Sequence, residues 1–105
     1  MTAVTLVLCT APESEAAALA DQLLREKLVA CVNLLGPVTS LYMWEGEREE
    51  SREMMLVMKT EGRTASALRA RIVELHTYEV PEVLEFHADS GLEGYMDWVS
   101  KCCER

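Results

Sequence analysis

Aromatic side chains are scarce in this 105-residue chain: one Phe, two Trp and three Tyr, 6% in all. Stacking platforms for single-stranded nucleic acid are therefore poorly supplied. Positive charge is short as well. Ten Lys and Arg against eighteen Asp and Glu leave a formal charge of −8 and a pI near 4.7. That balance argues against a general binder of nucleic acid or other polyanions and makes cations the better electrostatic match. No stretch approaches the roughly 18 to 20 consecutive apolar residues needed to span a bilayer. The start, Met1 to Cys9, lacks a basic n-region and a small-residue cleavage site, so the chain reads as cytoplasmic with no membrane partner. The four cysteines, Cys9, Cys31, Cys102 and Cys103, show no C-x-x-C spacing and read as free thiols rather than a disulfide framework. A Walker loop, a G-x-S-x-G elbow, an H-E-x-x-H pair and an EF-hand loop are all missing. Catalysis has no positive support, and the chain is expected not to be an enzyme.

What is there suits one compact domain spanning 1–105: half of the residues are hydrophobic and 27% are charged. By size scaling such a chain exposes about 5,900 Å² once folded. Val4 to Cys9 has strand composition, and Pro12 with Glu13 predicts the first turn of a helix of about four turns. Ala16, Leu19, Ala20, Leu23 and Leu24 supply its apolar stripe. Val29 to Trp44 reads as one long strand bent at Gly36-Pro37. Glu45 to Arg52 reads as a polar hairpin connection, and Glu53 to Thr60 as the next strand. Thr64 is placed to cap a helix carrying Leu68, Ile72 and Leu75, with Arg63, Arg69 and Arg71 on its exposed side. Val83 to Ala88 alternates as a half-buried strand. Ser90 to Glu93 matches a capping box before a last helix striped by Leu92, Tyr95, Met96 and Val99.

The order is βαββαβ plus a terminal helix, an α+β pattern that packs as a ferredoxin-like sandwich with two helices on one sheet face. Val7, Cys9, Val32, Met55 and Val57 give the strands apolar residues on both sides, and the third helix alone is a small cover for the other face. An uncovered apolar sheet face usually marks an interface, so the pattern alone predicts an oligomer.

Several segments then stand out in order and spacing: Leu8-Cys9-Thr10-Ala11-Pro12, Ala30-Cys31-Val32-Asn33, Ser40-Leu41-Tyr42 with Trp44-Glu45-Gly46, Lys59-Thr60, His76-x-Tyr78-Glu79-Val80-Pro81-Glu82, and Tyr95 with Trp98. Together they closely resemble the CutA family of divalent-ion tolerance proteins, over nearly the whole chain. The resemblance implies a ferredoxin-like subunit similar to PII proteins, a tight homotrimer, and a role in tolerance to copper and other divalent cations. Any ion would be loosely held and not required for folding. The resemblance also implies a metal role for Cys9 and His76, a soft and a borderline donor suited to copper or zinc. Glu82 or Glu79 would add oxygen ligands. Where the family usually has proline after the histidine, this chain has Thr77; where some members carry a further histidine, it has Leu75. Tyr42, Trp44, Lys59 and Tyr78 fall in the marked segments and are expected at an interface or cleft. Two other functions fit such a trimer: a PII-like sensor whose Lys59 and Arg63, Arg69 and Arg71 receive a small anionic effector, or a structural anchor for partner proteins. Met54, Met55 and Met58 are expected to fill space rather than bind copper.

Overall fold

The computed structural model describes residues 3–104. β1 spans Val4–Pro12, α1 Ala16–Arg25, β2 Cys31–Trp44, β3 Glu47–Glu61, α2 Ala65–Leu75, β4 Leu84–His87 and α3 Glu93–Cys102. A single 3-10 turn, Gly62–Thr64, leads into α2. The four strands form one antiparallel sheet in the order β2-β3-β1-β4. This is the expected α+β ferredoxin-like arrangement, with the two crossover helices on one face.

Strand register decides which side chains meet those helices. Directly paired residues share a face, so Val7, Cys9 and Ala11 of β1 lie with Met58, Leu56 and Met54 of β3. With Leu19, Leu23, Leu68 and Ile72 they make the core, in which Leu23, Leu56, Met58, Leu68 and Ile72 are fully buried. The apolar residues expected on both sides of the strands divide along this register. Val7 and Cys9 point to the helices, and Val32, paired with Met58, packs against the same core. Met55 and Val57 do lie on the outer face, with Leu8, Leu84 and Phe86. β1 is apolar on both sides, so composition alone carries no alternation from which to read its parity.

Three boundaries also move. Pro12 ends β1 instead of opening α1, and the helix begins at Ala16. The hairpin connection is only Glu45-Gly46, both with positive φ (50° and 81°), so β3 starts at Glu47 rather than Glu53. A two-residue turn of this kind matches the strand twist, and the charges around it face water on a ribbon rather than sitting in a loop. Leu92, not Ser90, stands at the N-cap of α3, with no side-chain cap bond, and Thr64 likewise precedes α2 without one. The bend expected at Gly36-Pro37 is a bulge between Leu35 and Val38, with a cis peptide bond at Gly36-Pro37.

β1 pairs with β3 only from Glu53 to Glu61, so the remainder of the β2–β3 hairpin projects as a two-stranded ribbon. The chain is consequently elongated, 45 × 26 × 22 Å. α3 packs across one end of the sheet against β3 and β1. There Ser100 Oγ donates to Glu61 (3.0 Å), and Cys103 Sγ lies 3.6 Å from Thr60 Oγ1. Most of the outer face stays uncovered. Leu84, Phe86, Tyr95 and Trp98 are each about half exposed, and Leu92 is more so.

Candidate functional site

Where the ribbon leaves the sheet, its outer face meets the loop that follows α2. Placing the turn at Glu45-Gly46 puts Tyr42 opposite Glu49, Ser40 opposite Ser51, and Val38 opposite Glu53. Ser40, Tyr42, Glu49, Glu53 and Met55 therefore share the face that bears Thr10. Residues 77–82 form the opposite wall, and between the two lies a cleft of about 700 Å³. Its aromatic lining is Tyr42, Trp44 and Tyr78; its charged lining is Glu49, Glu53, Glu79 and Glu82. Among the described residues, no basic side chain lines it.

The two tyrosines are fixed by their hydroxyls. Tyr78 donates to Glu53 Oε2 at 2.7 Å, and Tyr42 Oη lies 2.6 Å from Ser51 Oγ. Glu53 is 5% exposed, so its carboxylate is held at the cleft floor by a donor supplied from the far wall. Burial, followed by the hydrogen bond to Glu53 and that carboxylate's charge, pushes the Tyr78 phenol well above its ordinary pKa. The hydroxyl is thus a committed donor.

His76, the residue after α2, anchors this loop from behind. Its Nδ1 accepts from the Tyr78 backbone N–H at 3.0 Å. Nε2 must then carry the ring proton of the neutral form, and it donates to the Thr10 carbonyl at 2.7 Å. The His76 and Tyr78 rings also pack, with centroids 4.7 Å apart. Cys9 sits on the core side of the same backbone, fully buried, with Sγ 3.5 Å from the Thr10 carbonyl. Burial raises its thiol to about 12, with the charges of Glu82 and Glu53 adding to the shift. A thiol in that state is protonated at neutral pH and is no ready metal ligand.

Tyr42, Trp44, Tyr78 and Glu82 thus gather around one cleft, while Cys9 and His76 lie behind its wall. Both ring nitrogens of His76 already have partners. Among the described residues, no group of three or more His, Cys, Asp or Glu side chains is arranged to hold a metal ion. Lys59 is elsewhere, bonded to Asn33 and 3.9 Å from Cys31 Sγ. The arginines near α2 are engaged too: Arg63 with Glu61 (2.6 Å), Arg69 with Glu85 (2.5 Å), and Arg71 with Glu26 through two nitrogens. Met58 is wholly buried and Met54 packs on the core, the filling role expected for them, whereas Met55 lies on the outer face and lines the cleft. Glu49 and Glu53 are the site residues that sequence reasoning missed. The Glu-Gly dipeptide was the available signal, because a tight turn there sets the parity that brings both to the cleft.

Comparison with known proteins gives a consistent answer. The family described as CutA1 divalent ion tolerance protein matches residues 5–102. A "Divalent-cation tolerance protein CutA" from Thermus thermophilus is 39% identical over 95 residues, covering 90% of this chain and 92% of that protein. Among solved structures, CutA1 from Ehrlichia chaffeensis superposes with a TM-score of 0.94 at 26% identity, covering 100% of this chain and 99% of the other. A protein described as the PII-like protein CutA from Nostoc sp. PCC 7120, in apo form, gives a TM-score of 0.91 at 36% identity, covering 95% and 97%.

Proposed function

Because the chain belongs to the CutA1 family of divalent ion tolerance proteins, we propose that it serves divalent-cation tolerance as a homotrimer, by binding rather than by turnover. Copper and other divalent cations would be held loosely, at sites that need more than one subunit. The observation that carries this reading is the incompleteness of the single chain. Its accessible surface is 6575 Å², against about 5,900 Å² for an ordinary monomer of this mass. Its Cα radius of gyration is 14.3 Å, against about 13 Å for a compact domain of this length. The excess comes from a ribbon and an outer sheet face rich in exposed Leu41, Met43, Leu84 and Phe86. Surface of that kind is stable when another copy covers it.

The donor set points the same way. Cys9 and His76 are engaged within the subunit, which leaves exposed carboxylates such as Glu82 and Glu79 as the accessible ligands of this region. Carboxylates alone favour weak, exchangeable binding, and a charge of −8 supplies a general attraction for cations. Light scattering should return a mass three times the 11.8 kDa subunit. Titration calorimetry with Cu(II), Zn(II) and Ni(II) should show binding tighter than about 1 mM that weakens in Glu82→Gln. A monomeric mass, or no binding by any of the three ions, would overturn the proposal.

A further inference from the structure

The loop from 77 to 82 carries Glu79 and Glu82, yet little holds it in place. Its two ends are fixed: Leu75 and Val83 pack against the core, and the His76 N–H donates to the Ile72 carbonyl at the end of α2. Between those ends, among the described residues, the only hydrogen bonds made by the loop are two at Tyr78. The Tyr78 N–H donates to His76 Nδ1 at 3.0 Å, and the Tyr78 hydroxyl donates to Glu53 Oε2 at 2.7 Å. His76 in turn donates from Nε2 to the Thr10 carbonyl at 2.7 Å. A connected run therefore crosses from the Thr10 carbonyl on β1, through the imidazole and Tyr78, to the Glu53 carboxylate on β3. Thr10 and Glu53 are both buried, so each end of the run is set in the sheet.

A metal-bound imidazole commonly donates its second N–H to a backbone carbonyl, and the Nε2 bond to Thr10 has that form. Nδ1 is then the nitrogen that decides. Here it faces the Tyr78 N–H, and coordination through it would strip that amide of its acceptor and free the loop. We propose that His76 is a latch and not a ligand: it positions the loop, and with it the carboxylates of Glu79 and Glu82, by accepting from Tyr78 and donating to Thr10. The loop's task rests on the divalent-cation reading, whereas its fastening rests on these hydrogen bonds. A neutral imidazole suits the fastening because it offers one acceptor and one donor in a rigid plane, where lysine and arginine offer donors only.

The full chain is titrated with Zn(II) in whatever oligomeric state it adopts, with mass measured on the same samples. At a pH where the ring is neutral, ¹⁵N spectra of histidine-labelled protein should show one protonated and one unprotonated nitrogen for His76. Saturating Zn(II) should leave both signals in place, and movement of the Nδ1 signal would make His76 a ligand and overturn the proposal. His76→Ala should weaken Zn(II) about tenfold, the usual effect of losing a group that orients ligands. His76→Asn should return affinity to within about threefold of wild type, because its side-chain oxygen accepts the N–H two residues on. Equal loss in the two variants would assign the imidazole to the ion, and wild-type affinity in both would leave it no role; either result overturns the latch. Exchange of the Tyr78 amide, measured without metal, separates the latch from the cation reading. It should accelerate at least about tenfold in His76→Ala but not in His76→Asn. If the wild type binds no Zn(II), the cation reading falls, and an unchanged Tyr78 amide in His76→Ala would overturn the latch as well.

Discussion

Cys9 shows how burial changes what a side chain offers. At the end of an apolar strand it can be read as a soft metal donor, yet its thiol is pushed up to about 12 from an ordinary 9.0. The shift has a consequence for stability. Between these two values the unfolded chain loses the Cys9 proton while the folded chain keeps it, so stability falls as pH rises. Below pH about 9 both states are protonated and the contribution is complete. Urea denaturation from pH 9 to 10.5 should therefore show a steeper decline for the wild type than for Cys9→Ala, by up to about 1.4 kcal/mol per pH unit. Parallel slopes would show that the thiol is not held neutral. Cys9 and His76, far apart in sequence, are neighbours in the fold, since both reach the Thr10 carbonyl. Their bonding could not be read from sequence, because the acceptor is a backbone oxygen whose position depends on the fold.

At the scale of elements, the long hairpin is governed by two glycines with different constraints. Gly46 sits at φ +81° in the turn, with open space where a Cβ would be. Gly36 has φ +131°, and a Cβ there would come within 2.8 Å of the Val38 backbone nitrogen. Gly46→Ala should cost about 1 kcal/mol, the usual penalty of a left-handed conformation. Gly36→Ala should cost more than about 2 kcal/mol, because backbone must move as well. Urea midpoints at matched protein concentration check the ranking, and equal costs would contradict it. Most elements were legible from periodicity: the strands, two of the helices' apolar faces, and the bend at Gly36-Pro37. Boundaries were less so. The charged run from Glu47 to Arg52 looks like a loop, because both faces of a projecting ribbon are wet and no alternation survives. The cleft was legible only as separate motifs, since Tyr42 and Trp44 meet Tyr78 and Glu82 through sheet register.

The whole molecule is a small core with a long extension. A two-stranded ribbon is marginal by itself, so the segment from Val38 to Arg52 owes its order to what lies against it. In the proposed trimer that support comes from other subunits and depends on concentration. Amide hydrogen exchange in this segment should accelerate at least about tenfold when the protein is diluted below the concentration at which the trimer dissociates, while Leu56 and Met58 amides stay protected. Uniform protection at every concentration would mean that the ribbon stands without partners.

The position of Pro37 has one more effect. β2 is an edge strand, and fourteen residues of open edge would be a template for fibril growth. The bulge between Leu35 and Val38 twists that edge in its middle, and Pro37 removes an N–H there. What remains is two short segments, the second of which pairs with the charged stretch of β3 from Glu47 to Glu53. The opposite edge, β4, has only four residues. The interruption that looks like a flaw in a long strand is thereby a safeguard against amyloid-like stacking, effective even in a newly made chain before it has met another copy.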